Sequence, residues 1–313
     1  MRAARLTRRS VIAGLASLGM HGIANSAANR VDLSLGLQLF SLDTEMKHDL
    51  PGTLREVRAI GYRHVELVGY YGMDPGRLRA QLQAASLECS SIHIRPHGSA
   101  GGLPGLAADP ERHFAMCRAL GVQYLVCPGP WFPESVARAL PTSNLSIADI
   151  VAAVNRMTED DWRHSAELVN KCAGLARQRG LELLYHNGNL EFVPSGSGTG
   201  FDTMLQFFNT KLVKIELDCG WVMAAGRDPT QYLREQAGLM PLIHVKDMQA
   251  TPPNTRMELN PAQIGEGVVD WPALLGAAKE AGVTRAYIEQ EAPFARPAME
   301  YARNNFRYLT SLQ

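Results

Sequence analysis

Residues 213–220 read VKIELDCG. The run is apolar and of strand length, yet Glu216 and Asp218 stand in it two apart, and so on one face of a strand. Charged groups inside an apolar strand are expensive to bury unless they are paired or bind a metal. Seven other runs share its length and character: LSLGLQLF (33–40), HVELVGY (64–70), LECSSIHI (87–94), VQYLVCPG (122–129), LELLYHN (181–187), LIHVKD (242–247) and AYIEQE (286–291). Near-continuous apolar runs suit strands covered on both faces.

Helical patterns lie between them. DLPGTLREVRAIG (49–61), DPGRLRAQLQAAS (74–86), DPERHFAMCRALG (109–121), DDWRHSAELVNKCAGLARQRG (160–180), DPTQYLREQAG (228–238) and DWPALLGAAKEAG (270–282) space their apolar residues helically. Several open on Asp before Pro or Trp, an N-cap signal, and end on Gly, a C-cap signal. Eight strands with intervening helices over residues 29–313 predict one α/β domain, a (β/α)8 TIM barrel. A doubly wound open sheet would want a Gly-rich phosphate turn after its first strand, where QLFSLDTEM stands. The connections 95–110, 128–162 and 247–271 are long, and the second is expected to hold a helical insertion. In a barrel such loops line the face where active sites are built.

The first 28 residues differ. They carry Arg2, Arg5, Arg8 and Arg9 and no acid, then an apolar run from Val11 to Ile23, then small residues. That is the layout of an export signal, and Arg8-Arg9 resembles a twin-arginine one. Cleavage after Ala28 would leave 27 basic and 31 acidic residues in an exported, periplasmic protein with no stable membrane span. The formal net charge of the whole chain is zero, which gives no electrostatic case for nucleic acid. Five cysteines, at 89, 117, 127, 172 and 219, form no metal spacing and are read as small core residues.

Ionisable residues gather at the C-terminal ends of the proposed strands: Glu66, His93, His186 with Glu191 just beyond, Glu216 and Asp218, His244, Lys246 and Asp247, Glu289 and Glu291. Carboxylates with one or two imidazoles make a mixed O/N site for one octahedral divalent ion, Mn²⁺, Mg²⁺, Co²⁺ or Fe²⁺, with Zn²⁺ less well suited. One ligand each from strands 5 to 8 gives Glu191, Asp218, His244 and Glu289, with His186 the other strand-5 candidate and Asp247 expected to orient a ligand or Lys246.

The runs ELDCGWVMAAGRDP, HVKDM, IGEGVVDWPALL and YIEQE resemble the xylose isomerase-like TIM barrel family, and more narrowly its sugar phosphate isomerase/epimerase-type proteins. The resemblance covers roughly residues 33–311 and implies metal ligands at the same four positions. Two departures stand out. Relatives usually carry YHNH where this chain has YHNG, and a His three residues after the strand-6 Asp where it has Trp221. Gly188 therefore implies a roomier site.

The metal implies the chemistry. As a Lewis acid it would stabilise an enediolate formed when a general base removes an α-proton. Candidate catalytic groups are Glu191, Glu289, His93, His186 and Lys246, the last needing a lowered pKa. Gln38, Glu66 and Trp221 are candidate substrate contacts, and Trp131, Phe132, Trp221, Tyr70 and Tyr71 candidate stacking surfaces for sugar rings. The leading expectation is an isomerase or epimerase acting on an unphosphorylated sugar or cyclitol. A lyase, hydratase or dehydratase on a keto-sugar or 3-keto-glycoside shares the intermediate. A non-catalytic sugar-binding barrel is the third reading. The expected partner is a small carbohydrate, with a homo-oligomer left open. A DNA-repair endonuclease would need several metals, more His and a basic face.

Overall fold

The computed structural model describes residues 33–97, 103–140 and 146–313, so the export-signal reading of residues 1–28 lies outside the described residues. Eight parallel strands close into a barrel: β1 Ser34–Gln38, β2 His64–Val68, β3 Glu88–His93, β4 Tyr124–Pro128, β5 Glu182–His186, β6 Val213–Asp218, β7 Leu242–Val245 and β8 Arg285–Ile288. Sequence neighbours are sheet neighbours, and β1 pairs with both β2 and β8. The expected (β/α)8 barrel is present, and the open sheet is excluded.

Each strand is followed by a helix: α1 Leu50–Ile60, α2 Pro75–Ala84, α3 Pro110–Leu120, α4 Glu159–Gln178, α5 Gly200–Phe207, α6 Pro229–Glu235, α7 Trp271–Glu280 and α8 Ala298–Ser311. The Asp-Pro and Asp-Trp signals work as expected. Asp49, Asp74, Asp109, Asp228 and Asp270 each accept a backbone N–H of the first helical turn. α4 is the exception. It starts on a Thr158–Asp161 capping box, so Asp161 serves at the third helical position and neither acid of the Asp-Asp-Trp run is the cap. The 128–162 connection holds two short helices, Glu134–Ala137 and Ile147–Val154. Among the described residues no helix is long and apolar enough to cross a membrane.

Two-residue alternation sorts the strand side chains. Leu183, Tyr185, Leu217, Val245 and Ile288 join the large core cluster. Val126, Leu184, Leu242 and Tyr287 form a separate buried cluster inside the barrel, below the polar residues. Along β5, β7 and β8 the next positions on that inner face are His186, His244 and Glu289. The apolar plug therefore forms a floor that keeps water from the polar layer above. All five cysteines are free, four of them buried, as expected of core residues.

The long connection after β7 is fixed at its root by Asp247. Its Oδ1 accepts from Met248 N (2.9 Å) and Val269 N (3.3 Å), and its Oδ2 from Gly265 N (2.9 Å), Gly267 N (3.2 Å) and Trp271 Nε1 (3.1 Å). Gly267 must be glycine here, because a Cβ would lie 2.1 Å from Asp247 Oδ1. The HVKD and GEGVVDW segments are thus two halves of one device. Asp247 does not orient Lys246, as the sequence suggested; its acceptors are spent on the loop. Removing a buried charged acceptor strands its donors. Asp247→Ala should lower unfolding stability by about 3–5 kcal/mol in urea denaturation; an unchanged midpoint would show that the loop is held elsewhere.

Candidate metal centre at the barrel mouth

Two tiers of polar side chains lie above the apolar plug. The inner tier begins at Gln38. Its Oε1 accepts from Phe40 N, and its Nε2 donates to Glu66 Oε2 at 2.7 Å. His93 Nε2 lies 3.1 Å from Glu66 Oε2 and 2.8 Å from Glu216 Oε2. His186 Nδ1 is 3.0 Å from Glu216 Oε2, and His244 Nε2 is 2.5 Å from Glu66 Oε2. Gln38 and Glu66, expected at the substrate, are both fully buried and bonded to each other. Both belong to this supporting tier.

The outer tier contains Asp218, Glu289, Glu291 and Lys246. Asp218 is the N-cap of the short helix Cys219–Ala224, and its Oδ1 accepts from Trp221 N at 2.9 Å. That leaves Oδ2 turned to the site, 2.9 Å from Lys246 Nζ. Lys246 Nζ also lies 2.7 Å from Glu289 Oε2 and 2.5 Å from Glu291 Oε1. Gly220 makes room for this lysine, since a Cβ there would sit 2.2 Å from its Cγ. Trp221 covers the ammonium with its ring centroid 5.2 Å from Nζ. Trp221 is therefore buried against the outer tier.

Burial and charge set the protonation of these groups. Burial lowers the His186 imidazole well below its usual range, and the facing His244 and His93 lower it further, so it is neutral. Burial also pulls His93 down, but the Glu66 carboxylate and the hydrogen bond to Glu216 outweigh it and raise the group to about 9. Glu216 is pushed up to about 7 by burial and then by the Glu66 charge. Burial acts to lower Lys246, yet Asp218, Glu289 and Glu291 raise it well above the ordinary lysine range. The sequence reading asked for a lowered lysine; its carboxylate neighbours make it a firm ammonium.

The donor set fits a divalent cation. One ligand atom from each of Asp218, His244 and Glu289 lies within 4.8 Å of the others, and the same holds for His93, His186, Glu216 and His244. Three carboxylates, Asp218, Glu289 and Glu291, face the Lys246 ammonium, and Glu66 and Glu216 face the His93 and His244 imidazoles, which these charges raise above the usual histidine range. Glu66 Oε1 and Glu216 Oε1 are buried without a hydrogen-bond partner. Buried carboxylate oxygens without donors are what a bound cation relieves.

The structure brings together Asp218, His244, Glu289, His186, His93 and Lys246. Glu191 is a member of neither donor group, although the Asp218 carboxylate is near enough to act on it. Tyr185 OH donates to its Oε1 at 2.6 Å and Gly188 N to its Oε2 at 3.0 Å, and burial pushes its carboxyl up to about 7. The strand-5 side chain in the cluster is His186, whose Nε2 is 3.5 Å from Asp218 Oδ2. Gly188 does not open the site either. A Cβ there would lie 3.0 Å from Met257 Sδ, so the β7 loop fills the space. Tyr70 is buried with its hydroxyl 3.5 Å from Cys117 Sγ, and Phe132 stacks on His97 with centroids 5.5 Å apart. Sequence reasoning underweighted Glu216 and Glu291; their two-residue spacing from Asp218 and Glu289 was the available signal.

Residues 54–312 match the family described as xylose isomerase-like TIM barrel. The chain belongs to that family. Within the xylose isomerase-like barrels it is 22% identical over 218 residues to an inosose dehydratase of Geobacillus kaustophilus, a match covering 64% of this chain and 66% of that enzyme. A sugar phosphate isomerase/epimerase from Parabacteroides distasonis superposes with a TM-score of 0.64 at 22% identity, covering 90% of this chain and 94% of the other. An IolI protein with a bound zinc atom superposes with a TM-score of 0.62 at 15% identity, covering 90% and 98%. The expectation of an enzyme of this superfamily agrees with these relatives, and a divalent metal agrees with the donor set and the zinc-bound neighbour.

Removing the ammonium from three carboxylates leaves buried charge uncompensated. Lys246→Met should destabilise the metal-free protein by about 3–5 kcal/mol, with part of the loss recovered on adding Mn²⁺. Chemical unfolding with and without chelator measures both; equal stability of the two proteins in chelator would show that the carboxylates are protonated instead.

Proposed function

We propose that the protein is a metal-dependent lyase of the dehydratase type, acting on an unphosphorylated keto-sugar, keto-cyclitol or 3-keto-glycoside. The observation that carries this reading is the asymmetry of the mouth. A carboxylate and an ammonium, Glu289 and Lys246, stand 2.7 Å apart on neighbouring strands, while the strand-5 carboxylate Glu191 is held by Tyr185 and Gly188. Epimerisation returns the proton to the opposite face of the carbon and needs an acid–base group on each side. Elimination toward one face needs a base and an acid side by side.

Asp218, His244, Glu289 and His186 are the residues that would hold a divalent cation, which supplies Lewis-acid polarisation of the substrate carbonyl. The protein groups do the rest. A Glu289 oxygen takes the α-proton, the C–H electrons form the new C=C bond, and the β-C–O bond breaks. Lys246 gives a proton to the departing oxygen, which leaves as water or as an alcohol, and the proton held by Glu289 then passes to Lys246, 2.7 Å away, which restores both groups. Trp221 and the Met257 loop restrict water around the mouth. The excess of carboxylates disfavours a phosphorylated substrate, and the absence of a Gly-rich or Arg-rich phosphate cradle from the sequence supports the same choice. The export signal read in residues 1–28 also favours a substrate met outside the cytoplasm, and we place the protein there.

The inosose dehydratase relatives support the lyase reading, and the isomerase/epimerase neighbours support an isomerase or epimerase as the second one. Incubation with keto-cyclitols and 3-keto-glycosides in heavy water separates them. Release of water or aglycone with appearance of a conjugated double bond is expected; deuterium uptake into an intact sugar would transfer the assignment to the epimerase. Asp218→Ala and His244→Ala should each lose bound metal by elemental analysis and lower kcat at least 1000-fold, on the order of 4 kcal/mol. Sugar binding unchanged by chelator, with no turnover, would leave a binding protein.

A further inference from the structure

Glu66, His93 and Glu216 lie beneath the proposed ligands, and none of them enters the chemistry above. Two imidazoles connect the tiers. His186 directs Nδ1 to Glu216 Oε2 at 3.0 Å and Nε2 toward Asp218 Oδ2 at 3.5 Å. His244 directs Nε2 to Glu66 Oε2 at 2.5 Å and Nδ1 to Glu289 Oε2 at 3.0 Å. A neutral imidazole has one N–H and one lone pair. For His186 the fixed Glu216 acceptor draws the N–H to Nδ1 and leaves the Nε2 lone pair for the other side; His244 has a carboxylate on each side, so a cation beside Glu289 would displace the Nδ1 proton while Glu66 keeps the N–H at Nε2.

The inner carboxylates are themselves immobilised. Glu66 Oε2 accepts from Gln38 Nε2, and His93 Nε2 braces Glu66 against Glu216. The His93 ring stacks on His244, with centroids 5.2 Å apart and an interplanar angle of 15°. Glu66 and Glu216 are wholly buried, so water does not compete for these contacts.

We propose that Glu216 and Glu66 are positioning residues that select the metal-binding nitrogen of His186 and His244, Nε2 in the first and Nδ1 in the second, with His93 as their cross-brace. This rests on the reading that the outer tier holds a divalent cation. The inner tier has the donor types of a second ion site, but two ions sharing both rings would require both imidazoles to lose their last N–H. The tier acts as an acceptor layer that gives the two rings opposite orientations. It also accounts for charged residues two positions deeper than the metal ligands on β6.

The test uses full-length protein stripped with chelator and titrated with Co²⁺ alone. Stoichiometry is read by elemental analysis, affinity by competition with a chelator of known strength, and ligand geometry by the visible absorption of bound Co²⁺. The wild type should take one equivalent. Glu216→Gln and Glu66→Gln should still take one, with affinity about 10–100-fold lower and a changed Co²⁺ spectrum, because an amide can also donate to the ring nitrogen. Circular dichroism and the unfolding midpoint of the metal-free variants identify the folded fraction, and affinity is compared for that fraction only. Should Glu216→Gln misfold, Gln38→Leu, which frees Glu66 without removing a charge, carries the same expectation in weaker form. Wild-type affinity and spectrum in folded Glu216→Gln overturn the inference. So does a wild type with two equivalents that falls to one in Glu216→Gln, which makes Glu216 a ligand. If Asp218→Ala keeps its metal, the outer site fails and this inference fails with it. Metal lost from Asp218→Ala but held normally by Glu216→Gln sinks the inference alone.

Discussion

The organising constraint of this molecule is the gathering of Glu66, Glu216, Asp218, Glu289 and Glu291 at one end of a barrel, where the Lys246 ammonium and the His93 and His244 rings are their partners. Charge taken out of water is tolerated only when its partners are already in place. The fold supplies them by adjacency. β6, β7 and β8 are successive staves, so Asp218, His244 with Lys246, and Glu289 face one another across adjacent strands. The plug of Val126, Leu184, Leu242 and Tyr287 closes the barrel below them. A low-polarity floor strengthens each interaction above it and penalises each unpaired oxygen.

Much of this was legible in the sequence because strand periodicity is two. Once VKIELDCG is a strand of a parallel barrel, Glu216 and Asp218 must point inward together, and HVK places His244 and Lys246 likewise. Eight apolar runs gave the barrel, and Asp caps, three of them directly before Pro, gave five helix starts, because caps are local chemistry. The inward places of Asp218 and His244 on β6 and β7, and of Glu289 at the end of β8, follow from the same alternation.

What the sequence hid lies where alternation stops. Glu191 follows β5 by five residues, across the turn HNGN, and no period fixes its direction; the turn delivers it to Tyr185. His186 is still on the strand and obeys the period. Asp247 is two residues beyond the end of β7, in a short ribbon with Pro261–Ala262, and its side chain serves the loop. Met257 reaches Gly188 from a residue 69 positions away, through backbone with φ of 58°. Such contacts depend on tertiary geometry that no local signal carries.

The loop that carries Met257 also shows why Gly188 does not enlarge the site. Asn189, fully buried, donates to Asn254 O and Oδ1, both at 3.0 Å, and accepts from Met257 N at 2.9 Å. The residue after the glycine thus clamps the loop whose methionine occupies the glycine's missing side chain. Glycine at 188 and asparagine at 189 work as a pair: one opens a space and the other pulls a polarizable, adaptable thioether into it. Met257 packs on into the cluster of Trp221, Ala224 and Met248, so the sulfur over Gly188 and the indole over Lys246 form one apolar roof above the polar layer.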